Sequence, residues 1–331
     1  MMISGEWPVL AVDLGGTKIM AAVVLPDGKV LSRKYCLTMA DRGPGVVIDR
    51  ILSAVNGAMA QAQLKTSELI GLGVATAGIL DAKKGIVTTS PNLPRWHNVQ
   101  LRDFLAKKLG VATYIINDAN AAALGEHRFG VGRGFTNIIY LTVSTGIGGG
   151  IIVNGELYSG ADGCAAELGH ITIEVDGPQC HCGNFGCLEA LASGWAVARK
   201  AVERINQGEK SSIIELVDGR LESITAETVE IAARLGDQLA ANIVRDAANY
   251  LGVGFANFVN IFNPELIVVG GGLSKMGDML LKPARKVVRE RAFKLPTRTV
   301  RIVRARLGSS AGVIGAAAYV FDQQLGNREK A

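Results

Sequence analysis

The feature of this sequence that most constrains its fold is a repeated pattern of three short strands, with a glycine-rich loop after the first strand. The pattern occupies residues 9–35, where the loop is DLGGTK at 13–18, and again residues 137–158, where the loop is STGIGGG at 144–150. We call these segments the first and the second glycine loop. In each copy an Asp-Gly or Asn-Gly turn joins the second and third strands. An internal duplication is the simplest explanation and predicts two similar α/β domains that face each other; the alternative is a chance likeness of two hairpins.

The rest of the chain alternates predicted helices and strands, and its length of 331 residues suits two domains. We predict a small N-terminal domain over 1–117 and a larger domain over 118–309. A C-terminal helix at about 310–331, rich in alanine and glycine, is expected to return to the first domain. The other predicted helices cover 44–63, 100–109, 225–262 and 278–293, and the other strands cover 69–74, 113–116 and 266–269.

Both glycine loops suit phosphate binding. Each leads into a strand, whereas the NTPase phosphate loop and the dinucleotide fingerprint lead into helices, so neither of those motifs applies. A glycine turn between strands can still direct backbone N–H groups at phosphate oxygens. Asp13 in the first loop indicates a Mg²⁺ ion between its carboxylate and the phosphates. Thr17 and Lys18 can donate hydrogen bonds to a phosphoryl group that is being transferred.

Asn117 and Asp118 come directly after a predicted strand, which is where α/β proteins carry catalytic groups. An aspartate at this position can accept a hydroxyl proton during phosphoryl transfer. The alternative is a helix N-cap ahead of residues 119–124. The two roles are compatible, and the sequence leaves both open.

A cluster of cysteine and histidine residues predicts a metal site. Three thiolates and one imidazole form a closed tetrahedral set, which is typical of a structural Zn²⁺; the alternative is a cysteine-rich loop with free thiols. Glu167 and Glu189 flank the segment, so a metal would hold both carboxylates in fixed directions, although composition alone favours ordinary surface glutamates. The predicted metal ligands are His170, Cys180, Cys182 and Cys187.

Charge and composition argue against nucleic-acid and membrane partners. The net charge of +5 is modest, and residues 282–306 hold ten Lys or Arg against one Glu. Because no aromatic platform or recognition motif accompanies them, these charges are best explained as a solvated helix face. The sequence has no apolar run near the ~20 residues of a membrane span and no secretion signal at its start. Cysteines gathered in a metal cluster fit a reducing cytosol, so we expect a cytoplasmic protein.

Six motifs, spread in order over nearly the whole chain, resemble the ROK family (repressors, open reading frames and sugar kinases), and within it the bacterial glucokinases most. The resemblance implies an actin-like (ribonuclease H-like) pair of α/β domains with a cleft between them. It also implies ATP-dependent phosphorylation of the 6-hydroxyl of a hexose, with glucose as the first candidate. The motifs are DLGGTK at 13–18, NDANAAALGE at 117–126, TGIGGG at 145–150, ELGH at 167–170, CHCGNFGCLE at 180–189 and NPELIVVGGG at 263–272.

The resemblance implies a role for each matching residue. Asp118 would be the general base, and His170 would serve twice, with one ring nitrogen on Zn²⁺ and the other near a sugar hydroxyl. The hexose would contact Asn92, Asn117, Asp118, Glu167, His170 and Glu189. ATP with Mg²⁺ would contact Asp13, Gly15, Gly16, Thr17, Lys18, Thr145, Gly146, Gly148, Gly270, Gly271 and Gly272.

Three small residues depart from the family pattern. Ser144 stands where glycine is frequent, Ala77 where proline is frequent, and Ala166 where glycine is frequent. We expect altered loop flexibility with the site retained. The choice of sugar is the inference that these departures weaken most, so N-acetylmannosamine, N-acetylglucosamine, fructose and allose remain alternatives to glucose.

A sugar-responsive regulator of the same family is an alternative of another class. The repressors carry an N-terminal helix-turn-helix, and twelve residues precede Asp13, so we do not expect a DNA-binding segment. A sensor without catalysis would be expected to lack Asp118 or one glycine loop, and both are present. The resemblance also implies a homodimer.

Overall fold

A computed structural model describes residues 7–328. Residues 1–6 of the predicted first domain and residues 329–331 of the predicted C-terminal helix lie outside this range. The strands follow the predicted order, with three short additional strands between residues 79 and 99. They are β1 (Val9–Leu14), β2 (Lys18–Val24), β3 (Val30–Leu37), β4 (Leu72–Thr76), β5 (Ile79–Asp81), β6 (Ile86–Thr89), β7 (His97–Val99), β8 (Thr113–Asn117), β9 (Ile138–Val143), β10 (Ile147–Val153), β11 (Glu156–Leu157), β12 (Leu266–Gly270) and β13 (Arg301–Arg304).

None of the helices within residues 7–328 has the length and apolar character that crossing a membrane requires. The helices are α1 (Pro44–Ala62), α2 (Leu101–Leu109), α3 (Asp118–Phe129), α4 (Leu188–Ala192), α5 (Gly194–Asn206), α6 (Ile213–Leu216), α7 (Ala226–Arg234), α8 (Gln238–Phe262), α9 (Asp278–Arg291), α10 (Lys294–Thr299) and α11 (Ala311–Arg328).

Two predicted boundaries are wrong. The single helix predicted over 225–262 is two helices, because Gly236 turns the chain with a φ of 97° and Asp237 caps α8 by accepting the Ala240 N–H at 2.8 Å. The second glycine loop is shorter than predicted, because β10 begins within it. A Cβ atom at Gly150 would lie 2.5 Å from the Ala123 side chain, so glycine allows β10 to pack directly on α3.

Two five-stranded sheets share one topology. The first has the order β3-β2-β1-β4-β8 and the second the order β11-β10-β9-β12-β13. In each sheet the three strands of the repeat are antiparallel neighbours, and two later strands add in parallel. The repeat seen in the sequence is therefore a repeat of structure. The strands β5, β6 and β7 form a small separate sheet.

The helices α3 and α11 lie between the two sheets and share one hydrophobic core with both. This core contains Ala11 and Ala75 from the first sheet and Tyr140 and Val268 from the second. The outer face of the first sheet packs against α1 and α2, and the outer face of the second packs against α5, α7, α8 and α9. The order of layers is therefore helices, sheet, helix pair, sheet, helices.

Register places the strand ends that carry functional residues at common edges. In the first sheet Leu14 pairs with Thr76 of β4, and Thr76 pairs with Asn117 of β8. In the second sheet Thr142 pairs with Gly270 of β12. Loops that follow parallel strands at the same level open at the same edge, where α/β proteins bind ligands.

A buried glutamate fixes the end of α3 to the chain that leads into α11. Glu126 is fully buried. Its Oε1 accepts the N–H groups of Arg306 (2.8 Å) and Leu307 (2.6 Å), and its Oε2 accepts the N–H of Val131 (3.0 Å). These bonds give the carboxylate the polar partners that a buried charge requires.

The crossing of α3 and α11 depends on glycine. A Cβ atom at Gly125 would lie 2.8 Å from the Ala311 carbonyl oxygen, and one at Gly315 would overlap the Ala121 carbonyl group. Without these side chains the two backbones approach closely. The alanine and glycine content of the C-terminal helix therefore reflects its position between two sheets.

Gly315→Ala is expected to lower the free energy of unfolding by about 3 kcal/mol, because the added methyl overlaps backbone that is fixed in the core. Gly45→Ala in α1 is the matched control. A Cβ atom there has no neighbour within 4 Å, so this variant should remain within about 1 kcal/mol of wild type. Equilibrium urea unfolding measures both. Equal stability of the two variants would contradict the packing described for α11.

Candidate active site

The first glycine loop is closed by its own backbone and held by Thr38. The Gly15 N–H donates to the Lys18 carbonyl (3.1 Å), the Thr38 hydroxyl donates to the Gly15 carbonyl (2.7 Å), and the Thr38 N–H donates to the Thr17 carbonyl (2.9 Å). A Cβ atom at Gly16 would lie 2.8 Å from the Asn92 carbonyl oxygen. Asn92, more than seventy residues away in the sequence, therefore lies directly against this loop.

Asp13 lies near the end of β1, in a site that does not favour its charge. Burial and the negative charge of Asp118 raise the pKa of Asp13 to about 6, against a smaller opposing effect of Lys18. A Cβ atom at Gly312, in the first turn of α11, would lie 2.7 Å from Asp13 Oδ2. Glycine at 312 thus leaves the room that the carboxylate occupies.

Asp118 is the first residue of α3, and the capping role belongs to its neighbour. Asn117 Oδ1 accepts the N–H groups of Ala119 (2.9 Å) and Asn120 (3.2 Å), which is the N-cap geometry. Asp118 Oδ1 accepts the Ala119 N–H (2.9 Å). Burial, together with the negative charge of Glu167, raises the pKa of Asp118 above its ordinary value. Asp118 is therefore a partly buried carboxylate close to two other acids, Asp13 and Glu167.

His170 connects the acidic residues to the cysteines. It ends a short 3₁₀ turn that begins after Glu167, and its Nε2 lies 4.0 Å from Glu167 Oε2. Its Nδ1 lies 3.6 Å from Cys180 Sγ. The two ring nitrogens thus face different partners, as a histidine that binds a metal with one nitrogen requires.

The predicted metal ligands form one compact cluster. One donor atom from each of the four residues lies within 4.8 Å of the others. The sulfurs of Cys182 and Cys187 are 3.8 Å apart, and the Cys180 sulfur is 3.6 Å from the histidine nitrogen. A tetrahedral ion with metal–sulfur bonds of about 2.3 Å and a metal–nitrogen bond of about 2.0 Å has a sulfur–sulfur edge of about 3.8 Å and a sulfur–nitrogen edge of about 3.5 Å. We call His170, Cys180, Cys182 and Cys187 the Cys/His cluster; their spacing fits such an ion.

Glu189 joins the Cys/His cluster to the second glycine loop. Its Oε2 accepts the Ile147 N–H at 2.8 Å, and its Oε1 lies 3.7 Å from Cys180 Sγ. A Cβ atom at Gly146 would lie 2.5 Å from Glu189 Oε2, so glycine at 146 allows the carboxylate to reach the loop. Glu189 is therefore not an ordinary surface glutamate.

The third glycine segment, at 270–272, packs on the second glycine loop. Gly271 has a φ of 81°, and a Cβ atom there would overlap the Val143 carbonyl. A Cβ atom at Gly272 would lie 3.6 Å from the Ser144 hydroxyl. Gly148, in β10, faces the Ala119 side chain at the start of α3. The two glycine segments of the second sheet thus lie side by side, next to the helix that begins with Asp118.

Two further residues contact the predicted site. Gly312 faces Asp13, and the backbone N–H of Trp195 donates to the Thr145 carbonyl at 3.2 Å. Neither residue was predicted from the sequence. The glycine content of the C-terminal helix was a signal for the first. For Trp195, no local signal existed, because its importance depends on a contact across fifty residues.

One of the three residues that depart from the family pattern, Ala166, has a strained backbone. Ala166 has a φ of 71°, a left-handed conformation that costs an alanine roughly 1–2 kcal/mol relative to a right-handed one. A Cβ atom at Gly149 would lie 2.6 Å from the Ala166 carbonyl oxygen. The strain therefore lies in the residue directly before Glu167, and the expected change in loop flexibility stays a prediction.

Asp13→Asn is expected to be more stable than wild type at neutral pH. The unfolded carboxyl group loses its proton near 3.8 and the folded one near 6, so the folded state binds more protons between these values and stability falls as pH rises through them. The asparagine variant avoids this loss, and its advantage should reach about 2–3 kcal/mol above pH 7 and vanish below about pH 4.

The measurement is urea unfolding from pH 4 to 8, with Asp41→Asn, a change at an exposed residue, as the control that should follow wild type. A wild-type protein more stable than Asp13→Asn at pH 8 would show that another group stabilises the charge.

Comparison with known proteins identifies the family of this chain. The ROK family model matches residues 9–323. Glucokinase from Thermotoga maritima is 39% identical over 318 residues, covering 95% of this chain and 98% of that protein. The xylose repressor of Caldicellulosiruptor bescii is 32% identical over 317 residues, covering 96% of this chain and 79% of the repressor.

A solved structure shows the same fold. The ROK family glucokinase from Streptomyces griseus, crystallised with glucose and AMPPNP, superposes with a TM-score of 0.82 at 37% identity, covering 95% of this chain and 99% of that one. The predicted actin-like α/β fold class is confirmed by this likeness. On the family match and the identities together, this chain belongs to the ROK family.

Proposed function

We propose that this protein transfers the γ-phosphoryl group of ATP to the 6-hydroxyl of a hexose, and that glucose is the preferred hexose. Relatives at 36–39% identity over nearly the full chain are named glucokinase. The Streptomyces griseus relative was crystallised with glucose and with AMPPNP, an ATP analogue. The same reaction accounts for the acidic, glycine-rich site of this chain.

The observation that carries the proposal is the state of Asp118. It begins α3 without serving as its cap, it is only partly exposed, and its pKa is raised. A carboxylate in this state is a stronger base than an exposed aspartate, and a base with a raised pKa removes a hydroxyl proton more readily at neutral pH. In the proposed reaction Asp118 accepts the proton of the 6-hydroxyl as the sugar oxygen attacks phosphorus.

The nucleotide would lie across the three glycine segments. Backbone N–H groups of the glycine loops would face the phosphates, and Lys18 would supply positive charge to the transferred group. Asp13 would orient Mg²⁺ on the phosphates. A cation beside Asp13 would also offset the cost of burying the charge of this carboxylate.

The hexose would be held by Asp118 together with polar groups from several segments of the chain. Asn92 lies against the first glycine loop, and Asn117 adjoins the base. Glu167 and Glu189 each offer a carboxylate that can accept bonds from adjacent hydroxyls. His170 would donate from the ring nitrogen that faces Glu167. These groups come from separate segments of the chain, so they can match the several hydroxyls of one sugar.

The Cys/His cluster would hold a structural Zn²⁺. Its donor distances fit a tetrahedral ion, and no fifth side chain is needed to complete the set. Burial raises the pKa of the Cys180 thiol to about 12, so a cation is needed to hold it as a thiolate at neutral pH. The ion would supply rigidity to the segment that carries Glu189 and His170, and it would take no part in the transfer.

We further propose that residues 1–117 and 118–309 act as two domains that close on the substrates. The proposed boundary falls at the junction of β8 and α3, so Asn117 and Asp118 lie on either side of it. Closure would exclude water from the transferred phosphoryl group and so prevent its loss to hydrolysis.

The test of the proposed reaction is ADP formation with ATP, Mg²⁺ and a panel of sugars. Glucose should give the highest kcat/KM, above N-acetylmannosamine, N-acetylglucosamine, fructose and allose. Asp118→Asn should fold, keep its metal and lose about 10²- to 10⁴-fold in kcat, because the general base is gone while the binding groups remain.

Asp41→Asn, at an exposed position, is the control for the loss of one carboxylate and should retain full activity. Near-wild-type turnover in Asp118→Asn would refute the assigned base. A higher kcat/KM for another sugar of the panel would replace glucose and leave the chemistry in place.

The metal proposal is tested with two exposed cysteines, Cys182 inside the cluster and Cys164 outside it. Purified wild-type protein should contain about one Zn²⁺ per chain. Cys182→Ser should lose the metal and several kcal/mol of stability, because a structural ion contributes folding free energy directly. Cys164→Ser should retain both. Elemental analysis and urea unfolding give the two readings, and metal retained at full occupancy in Cys182→Ser would remove this residue from the ligand set.

A further inference from the structure

The first turn of α5 holds the second glycine loop through its backbone. The Gly194 N–H donates to the Ser144 carbonyl at 2.7 Å, and the Trp195 N–H donates to the Thr145 carbonyl at 3.2 Å. A Cβ atom at Gly194 would lie 2.8 Å from the Ser144 carbonyl oxygen, so the two segments are in direct contact. With the bond from Ile147 to Glu189, three hydrogen bonds fix the loop to the chain that follows the cysteines.

The Trp195 side chain determines where this turn lies. Its indole ring stacks on the His181 imidazole, with centroids 4.3 Å apart and an angle of 25° between the planes. The Arg199 guanidinium lies 5.0 Å from the ring centroid. The ring also packs against Cys180 and Cys187. Trp195 therefore contacts the cysteine segment with its side chain and the second glycine loop with its backbone.

We propose that Trp195 is a positioning residue for the nucleotide. Its stacked ring holds the first turn of α5, and the two N–H donors of that turn hold the second glycine loop in the conformation that receives phosphate. The inference rests on the proposed function in one respect, that this loop binds ATP. Trp195 itself touches neither the reacting hydroxyl nor the phosphate in this scheme; it acts through Ser144 and Thr145.

The proposal predicts different effects on the binding of the nucleotide and of the hexose. The loop that Trp195 holds belongs to the nucleotide. Most of the proposed hexose contacts, Asn92, Asn117, Asp118 and Glu167, come from other segments, and the metal would keep His170 and Glu189 in place when the ring is lost. Loss of the ring should therefore weaken nucleotide binding and leave hexose binding nearly unchanged. A purely structural role would instead affect both substrates together with metal content.

The experiment measures two dissociation constants by titration calorimetry on the zinc-containing protein, one for Mg²⁺–AMPPNP and one for glucose. Trp195→Ala should raise the AMPPNP constant about tenfold, the size expected for loss of one stacked and cation–π contact. The glucose constant should stay within about twofold. Trp195→Phe keeps a stacking ring and should recover most of the loss.

Two further variants keep the test decisive. Phe185→Ala removes an exposed aromatic side chain of the same cysteine segment and should bind both ligands as wild type does. Gly194→Ala retains the indole ring but presses a methyl on the Ser144 carbonyl, so it should also weaken AMPPNP selectively. If Trp195→Ala fails to fold, Gly194→Ala tests the proposal in its place.

The outcomes distinguish this inference from the proposed function. Wild-type protein that binds AMPPNP, with Trp195→Ala and Gly194→Ala unchanged, would overturn the role of Trp195 alone. An equal rise of both constants with loss of metal would also overturn it, in favour of a structural role. Wild-type protein that binds no AMPPNP would overturn both.

Discussion

The site depends on the hydrogen bonds with which Asn117 caps α3. Because Asn117 takes the N–H groups at the start of the helix, the cap of α3 does not depend on the Asp118 carboxylate. The helix behind it lies between two sheets and shares a core with both. The position of the carboxylate is therefore set by the packing of the whole molecule, and it cannot shift without disturbing two sheets at once.

Packing of this kind holds groups together that would otherwise repel each other. Asp13, Asp118 and Glu167 are all acidic, and burial and mutual repulsion raise the pKa values of the first two. Their proximity costs folding free energy, which the extensive core of the helix pair and the sheets offsets. A cation bound with the nucleotide, and sugar hydroxyls that donate to the carboxylates, would relieve this repulsion in the proposed complex.

The sequence predicted those parts of the fold that local chemistry determines. The glycine loops, the tight turns and the alternating strands carry their own signals, so the duplicated sheet and the Cys/His cluster could be read directly. The break at Gly236 was missed because a single glycine in a long apolar pattern is ambiguous. The start of β10 at Ile147 was missed because consecutive glycines indicate a loop unless a helix such as α3 packs on them. The roles of Gly312 and Trp195 depend on distant contacts, which no local pattern reports.

The most direct test of the account is a crystal structure of this protein with glucose, Mg²⁺ and AMPPNP bound together. The account predicts an Asp118 carboxylate oxygen about 2.6–3.2 Å from the 6-hydroxyl oxygen, with that oxygen facing the γ-phosphorus from the side opposite the bridging atom. A sugar bound with its 6-hydroxyl far from Asp118, or with another hydroxyl facing the phosphate, would contradict it.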